Sequence, residues 1–141
     1  MTVNTIEATF HLAHAIKQQF CSELDARKLN ITPMHGRVLK IIHKKKTTTA
    51  VDIAGFFKRD KAQITRLVTH LIAQGLVKKE ANPHDKRSQL LALTPQGEAL
   101  QESLFAFSQQ MQQQMTQDID PEALATFVKV AQKMTDNMAD K

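Results

Sequence analysis

The chain has 141 residues, a single cysteine and a formal net charge of +5. No apolar run approaches the roughly 18–20 residues of a membrane-spanning helix, the start MTVNTIEATF lacks a signal-peptide pattern, and one cysteine cannot form an intrachain disulfide, so we expect a cytoplasmic protein without a membrane partner. Residues 37–88 hold thirteen Lys and Arg against four Asp and Glu, an excess that indicates either a surface for a polyanion such as nucleic acid or plain solvated surface.

Helices are predicted first from about Thr5 to Lys28 and then from Pro33 to about Lys44. Both carry apolar residues at helical spacing, and Thr32 before Pro33 is an N-cap followed by proline at the first helical position. The same device recurs at Thr94-Pro95 and Asp120-Pro121.

A short helix, AVDIAGFF, is predicted next, with Thr49 as its cap, and a fourth helix follows. Asp60 and Gln63 have the spacing of a capping box, and Gly75 ends the helix as a C-cap glycine does. Its apolar residues have the i, i+3, i+4, i+7, i+8 spacing of a core-facing stripe; they are Ile64, Leu67, Val68, Leu71 and Ile72.

Residues 76–80 and 89–93 are the strand candidates, and two amphipathic helices complete the chain. Two short helices joined by a tight turn and followed by a hairpin predict a winged helix-turn-helix, so the fold class is mainly α with a small β-hairpin. We expect one domain of residues 1–141. Residues 33–93 form its DNA-binding lobe, and residues 1–30 and 95–141 are dimerisation helices.

The terminal helices predict a homodimer. At about 1.5 Å per residue the first would be about 36 Å long, wider than the small lobe on which it must pack. Pairing across a two-fold axis would bury their apolar stripes. A monomeric helical bundle is the alternative.

The fourth helix is the predicted recognition helix, because short, polar or basic groups occupy the face opposite its apolar stripe. Gln pairs with adenine edges, Arg with guanine, and Thr methyl groups pack on thymine. The residues of this face are Lys61, Ala62, Gln63, Thr65, Arg66 and Thr69. Contacts to the DNA backbone are expected from Lys45, Lys46, Thr49, Lys58 and Lys78.

The loop between the strands is longer than a purely structural hairpin needs and has a charged tip. We expect His84, Asp85, Lys86 and Arg87 to form a DNA-binding wing. Arg87 would enter a minor groove, Lys86 would meet phosphate, and Asp85 would pair with a basic side chain such as Arg87 or Arg66 to fix its direction.

Three blocks of the sequence resemble the MarR regulators of bacteria and archaea. They are NITPMHGRVLKII (30–42), ITRLVTHLIAQGLVKKE (64–80) and NPHDKRSQLLALTPQG (82–97). The resemblance implies homodimers that bind pseudo-palindromic double-stranded DNA, mostly as repressors, and that are often released by small aromatic acids, phenols or oxidants. By position it implies base or phosphate contacts from Gln63, Thr65 and Arg66, and a wing pair of Asp85 and Arg87.

The resemblance also implies an effector cleft between the dimerisation helices and the winged lobe. Histidine or lysine there could hold a carboxylate, with a phenylalanine against a ring. The candidates for this effector pocket are Phe10, His14, Lys17, His35 and Arg37. A site for a small aromatic or anionic effector and plain surface residues both remain open.

Other switches and functions are less well supported by the residues. Cys21, Glu23 and His35 are metal-ligand types, but residues 94–141 contain no histidine to complete a tetrahedral site, so neither a metal nor a cofactor is expected. Oxidation of Cys21 and space-filling by Cys21 both remain possible readings. The sequence contains neither a Gly-rich phosphate loop nor a nucleophile motif, so an enzyme is not expected. A winged helix that binds proteins is the rival function.

Overall fold

The structure, a computed structural model, describes residues 4–139. Within this range it has six helices and one antiparallel hairpin, in the order α1 (Thr5–Ala26), α2 (Pro33–Lys44), α3 (Ala50–Phe57), α4 (Lys61–Ala73), β1 (Val77–Ala81), β2 (Gln89–Leu93), α5 (Pro95–Met115) and α6 (Pro121–Met138). The prediction of a mainly α fold with a small β-hairpin is confirmed.

The chain divides into two compact units, of which the first ends at Ser103 and the second begins at Leu104. In the first unit, apolar faces of three helices and the hairpin bury a common core, as the helical and alternating spacings predict. Its buried side chains include Val38, Leu39, Ile41, Ile42, Ile53, Ile64, Val68, Leu71, Val77, Leu91 and Leu93.

Reciprocal side-chain caps begin α2 and α3. The Thr32 hydroxyl accepts from the His35 backbone N–H at 3.4 Å, and the Thr32 backbone N–H donates to Nδ1 of His35 at 2.9 Å. Thr49 and Asp52 make the same reciprocal pair at α3. These bonds satisfy N–H groups that a helix start leaves without partners.

Three helices end in the same way, with one residue in the left-handed conformation and two backbone hydrogen bonds that turn back on the last turn. These residues are Lys28 (φ 57°), Lys58 (φ 54°) and Gly75 (φ 77°). After α1, for example, Lys28 N–H donates to the Asp25 carbonyl and Leu29 N–H to the Leu24 carbonyl. Only Gly75 has the residue type that announces this ending in the sequence.

Three local predictions need correction. The first helix ends at Ala26 rather than Lys28, because Lys28 adopts the left-handed conformation. Asp60 is the N-cap residue of α4 but its side chain makes no capping hydrogen bond, so the capping box predicted with Gln63 is wrong. The first strand begins and ends one residue later than predicted, because Leu76 N–H still bonds to the Leu71 carbonyl of α4.

In the second unit, α6 is preceded by the Asp120-Pro121 pair, and the Asp120 side chain accepts from the Glu122 backbone N–H at 3.5 Å. No residue of α6 is buried within the described chain, although several are large and apolar. Those that are exposed are Phe127, Val128, Val130, Met134 and Met138. These side chains leave α6 with an exposed apolar surface.

Candidate nucleic-acid interface

Helices α3 and α4 are joined by a turn of three residues, 58–60. Lys58 is left-handed, and the N–H groups of Lys58 and Arg59 donate to the carbonyls of Gly55 and Ala54. This tight closure fixes the direction in which α4 leaves α3. The two helices therefore form the rigid helix-turn-helix pair that the spacing predicts.

One face of α4 is buried and the opposite face is open. Ile64, Val68 and Leu71 face the core, whereas all six predicted recognition residues are exposed. The exposed set is Lys61, Ala62, Gln63, Thr65, Arg66 and Thr69. A helix held by its apolar side and free on this polar, basic side can enter a major groove.

The wing is the hairpin of β1 and β2, paired in register from Val77 opposite Leu93 to Ala81 opposite Gln89. Its loop, residues 82–88, is closed at the base by a hydrogen bond from Asn82 Nδ2 to Ser88 Oγ at 3.2 Å. The tip residues His84, Asp85, Lys86 and Arg87 are all exposed. The structure thus brings the four predicted wing residues together on one ordered loop.

Asp85 organises this loop through the backbone and not through an arginine side chain. Its Oδ1 accepts from the Arg87 backbone N–H at 2.9 Å, and its carbonyl accepts from the Ser88 N–H at 3.3 Å. Among residues 4–139 no ion pair joins Asp85 to Arg87 or Arg66. The predicted side-chain pair is therefore wrong, because the short Asp side chain caps the turn in which it lies.

The lysines predicted to contact the DNA backbone differ in their surroundings within the protein. Lys46 and Lys58 are exposed, while Lys45 Nζ lies 5.4 Å from the centre of the Phe56 ring and Lys78 Nζ lies 3.6 Å from Glu80 Oε1. The Lys78–Glu80 pair is solvated and worth little, so it leaves that lysine available. These four cations can all reach an approaching phosphate.

Thr49 differs from the lysines because its polar groups are already engaged. Its hydroxyl accepts from the Asp52 N–H at 3.2 Å, and its own N–H donates to Asp52 at 3.0 Å. The neighbouring Thr48 is buried, and its carbonyl accepts from the Leu91 N–H at 2.8 Å. The basic connector 43–49 is thereby attached to the second strand of the wing.

Hydrogen bonds of Thr94 connect the turn after α4 to the start of α5. The Thr94 hydroxyl donates to the Gly75 carbonyl at 2.6 Å and accepts from the Gly97 N–H at 3.0 Å. Thr94 N–H donates to the Leu76 carbonyl at 3.1 Å. One threonine therefore caps α5 and holds the turn that follows α4.

A pocket of about 450 Å³ lies between the start of α2 and the recognition helix. Its lining residues are Met34, His35, Arg59, Gln63, Arg66, Leu67 and His70. The rings of His35 and His70 have centroids 4.8 Å apart, and His70 Nε2 lies 2.5 Å from the Asn30 carbonyl oxygen. Burial lowers the pKa of His35 below its ordinary value, and the nearby His70 lowers it further.

The five candidate effector residues lie in separate places within the first unit. His14 and Lys17 line a pocket of about 520 Å³ along α1, together with Cys21, whereas His35 lines the pocket beside α4. The Arg37 guanidinium lies 4.9 Å from the centre of the Phe57 ring, and Phe10 is 64% exposed. Only His14 and Lys17 are brought together.

Within residues 4–139 no group of three or more His, Cys, Asp or Glu side chains could hold a metal ion. Over the same range, none of the helices combines the length and the apolar character that a membrane crossing requires.

Sequence reasoning missed three residues beside the recognition helix: Asn30, Arg59 and His70. His70 follows Leu67 by three positions, so helical spacing already places it at the edge of the buried stripe. Arg59 lies in the turn before α4, and its position next to the predicted recognition helix could have indicated it as a basic candidate. The contact of His70 with the Asn30 carbonyl joins residues forty positions apart, and no local pattern predicts it.

Comparisons with known proteins agree with this geometry. The model of the MarR family matches residues 31–89. The multiple antibiotic resistance protein MarR of Salmonella typhimurium is 29% identical over 107 residues, which cover 75% of this chain and 74% of that protein. MarR of Escherichia coli K12 is 27% identical over 125 residues, covering 88% of this chain and 86% of the relative.

Two solved structures with bound DNA are similar over nearly the whole chain. A cysteine-to-serine mutant of E. coli MarR in complex with operator DNA has a TM-score of 0.78 and 25% identity, covering 92% of each chain. The Staphylococcus aureus MepR–DNA complex has a TM-score of 0.87 and 20% identity, covering 97% of this chain and all of that one. The likeness extends beyond the matched domain to the flanking helices.

Proposed function

The chain belongs to the MarR family of transcription regulators, and we propose that it binds double-stranded DNA in a sequence-specific manner, as a homodimer on a pseudo-palindromic operator. The observation that carries this proposal is the pairing of an exposed, acid-free face on α4 with a basic, hydrogen-bonded wing. A cysteine-to-serine mutant of E. coli MarR, 25% identical to this chain, has been solved in complex with operator DNA, which supports DNA binding by this chain.

The exposed residues divide into two proposed roles. Gln63, Thr65 and Arg66 would read base edges in the major groove, because amide, hydroxyl and guanidinium groups match the donors and acceptors found there. Arg87 would enter the adjacent minor groove, where a narrow A·T-rich stretch concentrates negative potential. Specificity would then come from α4 with a contribution from the wing.

The remaining cations would supply affinity without sequence preference. These exposed cations, on the connector, the α3–α4 turn and β1, are Lys45, Lys46, Lys58 and Lys78. Each phosphate contact releases a counterion, so binding should weaken steeply with salt. Thr49 fits this group less well, because its hydroxyl and N–H already cap α3, and we assign it to positioning.

A homodimer is supported by the apolar surface that the protomer leaves uncovered. Ile6 and Phe10 of α1 are 65% and 64% exposed, and α6 buries none of its residues within the described chain. Large exposed apolar faces on long helices are typical of a subunit interface. Residues 1–30 and 95–141 are the proposed dimerisation segments.

We further propose that the protein represses transcription and is released by a small anionic or aromatic effector. His14 and Lys17 line one pocket and offer donors for a carboxylate. Cys21 lines the same pocket, which keeps its oxidation as the second candidate switch. Benzoate and peroxide, tested separately on wild type and a Cys21→Ser variant, distinguish the two: only an oxidative switch disappears in Cys21→Ser.

In vitro selection of bound fragments from random DNA, followed by footprinting, tests the main proposal. Two half-sites about one helical turn apart, roughly 10 bp from centre to centre, are expected from a two-fold dimer. A winged helix that binds proteins instead would select no common sequence and would not be retained on heparin in a salt-dependent way. That result would overturn the proposal.

A further inference from the structure

His35 and His70 connect the start of α2 to the recognition helix. His35 is 8% exposed, and its ring lies 4.8 Å from the ring of His70, centroid to centroid. His70 belongs to α4 and is placed four residues after the reading residue Arg66. Both rings line the same pocket as Gln63 and Arg66. The histidine pair is therefore in contact with the element that reads DNA.

The hydrogen bonds define where the protons are. The Thr32 backbone N–H donates to Nδ1 of His35 at 2.9 Å, which assigns the lone pair to this nitrogen and the ring proton to Nε2, and the Thr32 hydroxyl oxygen lies 2.9 Å from the same nitrogen. Nε2 of His70 lies 2.5 Å from the Asn30 carbonyl oxygen, an acceptor, so His70 carries a proton on Nε2. The arrangement requires a neutral His35.

An added proton on His35 would remove this arrangement. An imidazolium has two N–H groups and no acceptor, so the Thr32 N–H would lose its partner and half of the cap of α2 would be lost. The added charge would also lie at the N-terminal end of a helix, where the helix dipole disfavours cations. A neutral ring is therefore part of the folded position of α2.

The other charges around His35 act in the same direction. The charged or titratable side chains that line the pocket with it are His70 and Arg66 from α4 and Arg59 from the α3–α4 turn. No carboxylate lines this pocket. Asn30 and Thr32, from the segment before α2, are uncharged. A protonated His35 would add a further positive charge beside Arg59 and Arg66, and this repulsion would push α4 away from α2.

We propose that the His35–His70 contact is a proton-sensitive link that holds the recognition helix in its reading position and weakens sequence-specific DNA binding in mild acid. This inference rests on the proposed function and adds a regulatory input to it. The ligand of the site is the proton itself, and the element that responds is α4.

The direction of the effect follows from linkage. The folded chain lowers the pKa of His35 from 6.5, so a state in which this ring is released binds the proton more readily. As pH falls below about 6.5, protonation favours that released state, whereas above it the neutral link is fully kept. Each proton that must leave before specific binding can reduce affinity by at most about tenfold per pH unit.

Two isosteric variants test the link without removing its hydrogen bonds. His35→Asn retains an acceptor at the position of Nδ1, and His70→Gln retains a donor at the position of Nε2, and neither side chain titrates in this range. His11→Gln is the matched control, because His11 is exposed on α1 and lies 3.6 Å from Glu7. Circular dichroism melting at pH 7.5 establishes that each variant is folded.

The measurement is the ratio of affinities for a selected operator fragment and for a scrambled fragment, from pH 7.5 to 5.5. The ratio removes any change of affinity with pH that is the same for all DNA sequences. For wild type and His11→Gln, this ratio should fall roughly three- to tenfold between pH 7.5 and pH 5.5. For His35→Asn and His70→Gln, the logarithm of the ratio should change by less than half as much as it does for wild type.

If the affinity ratio of wild type and of both isosteric variants changed with pH in the same way, the inference would be overturned and the proposed function would stay intact. Failure of wild type to discriminate the two fragments at pH 7.5 would overturn both. NMR titration of the histidine rings in the full-length wild type gives an independent reading. His35 should take up its proton below pH 6.5, and a midpoint at or above pH 6.5 would overturn the inference.

Discussion

Gly97 lies directly against the Leu76 carbonyl oxygen, so that a Cβ at position 97 would be 2.0 Å from that oxygen. Three residues earlier, Thr94 bonds to the Gly75 and Leu76 carbonyls. The first turn of α5 is thus pressed onto the turn that follows the recognition helix. Any change in the direction of α5 must move Leu76 or break this contact.

Gly97→Ala is expected to destabilise the protein by roughly 1–3 kcal/mol, because the added methyl group meets backbone that cannot rotate away. Urea denaturation of the folded chain measures the change. Gly55→Ala is the matched control: its Cβ would have no neighbour within 4 Å, so it should be neutral or stabilise by roughly 0.4–1 kcal/mol. Equal stabilities for the two variants would contradict the close packing.

Arg66→Ala should weaken binding to a selected operator by about 1–3 kcal/mol and relax preference at one base position. Lys86→Ala should weaken binding to all sequences alike and reduce the salt dependence by about one phosphate contact. Fluorescence anisotropy with operator and scrambled DNA at several salt concentrations separates these outcomes. If Arg66→Ala bound both fragments as wild type does, Arg66 would not be a reading residue.

Asp85 has a charge that opposes DNA and an oxygen that orders the wing, and two substitutions separate these properties. Asp85→Asn keeps the acceptor for the Arg87 N–H and removes the charge, so it should bind all DNA more tightly. Asp85→Ala removes both. The affinity gained by removing the negative charge should therefore be offset by the cost of ordering the loop without this hydrogen bond, roughly 0.5–1.5 kcal/mol. Anisotropy at fixed salt compares them. Identical affinities of the two variants would show that the bond is dispensable.

The proposed dimer depends on the apolar face of α6. Phe127→Lys should lower the mass in light scattering at micromolar concentration from twice the 15.9 kDa chain mass toward the chain mass itself. Lys129→Gln is the control, because two positions along a helix place it about 200° away from Phe127. A dimeric Phe127→Lys variant would exclude this face from the interface.

Much of the winged lobe could be predicted because its signals are local. The buried stripe of α4, the caps at Thr32 and Thr49, and the glycine at position 75 each act within a few residues, and the structure has all of them. The short apolar run at residues 89–93 was likewise predicted as a strand, and β2 has these bounds. Periodicity and turn chemistry suffice where one helix face meets one core.

The errors arose where a residue type did not reveal its backbone or its partner. Lys28 ends α1 in a conformation that sequence patterns assign to glycine or asparagine, so the helix was predicted too long. Asp85 was expected to bond to a side chain because charge was easier to read than loop geometry. The joining of His70 to Asn30 depends on tertiary packing alone.

The bridge between Thr48 and Leu91 has a consequence for how the wing behaves among many copies of the chain. A strand with open N–H and C=O groups invites another strand to pair with it, which leads to aggregation. Here β2 is partly covered on its outer side by Thr48, and β1 presents Lys78, Lys79 and Glu80, all exposed. The hairpin is thus protected against edge-to-edge association, by a backbone bond on one side and by charge on the other.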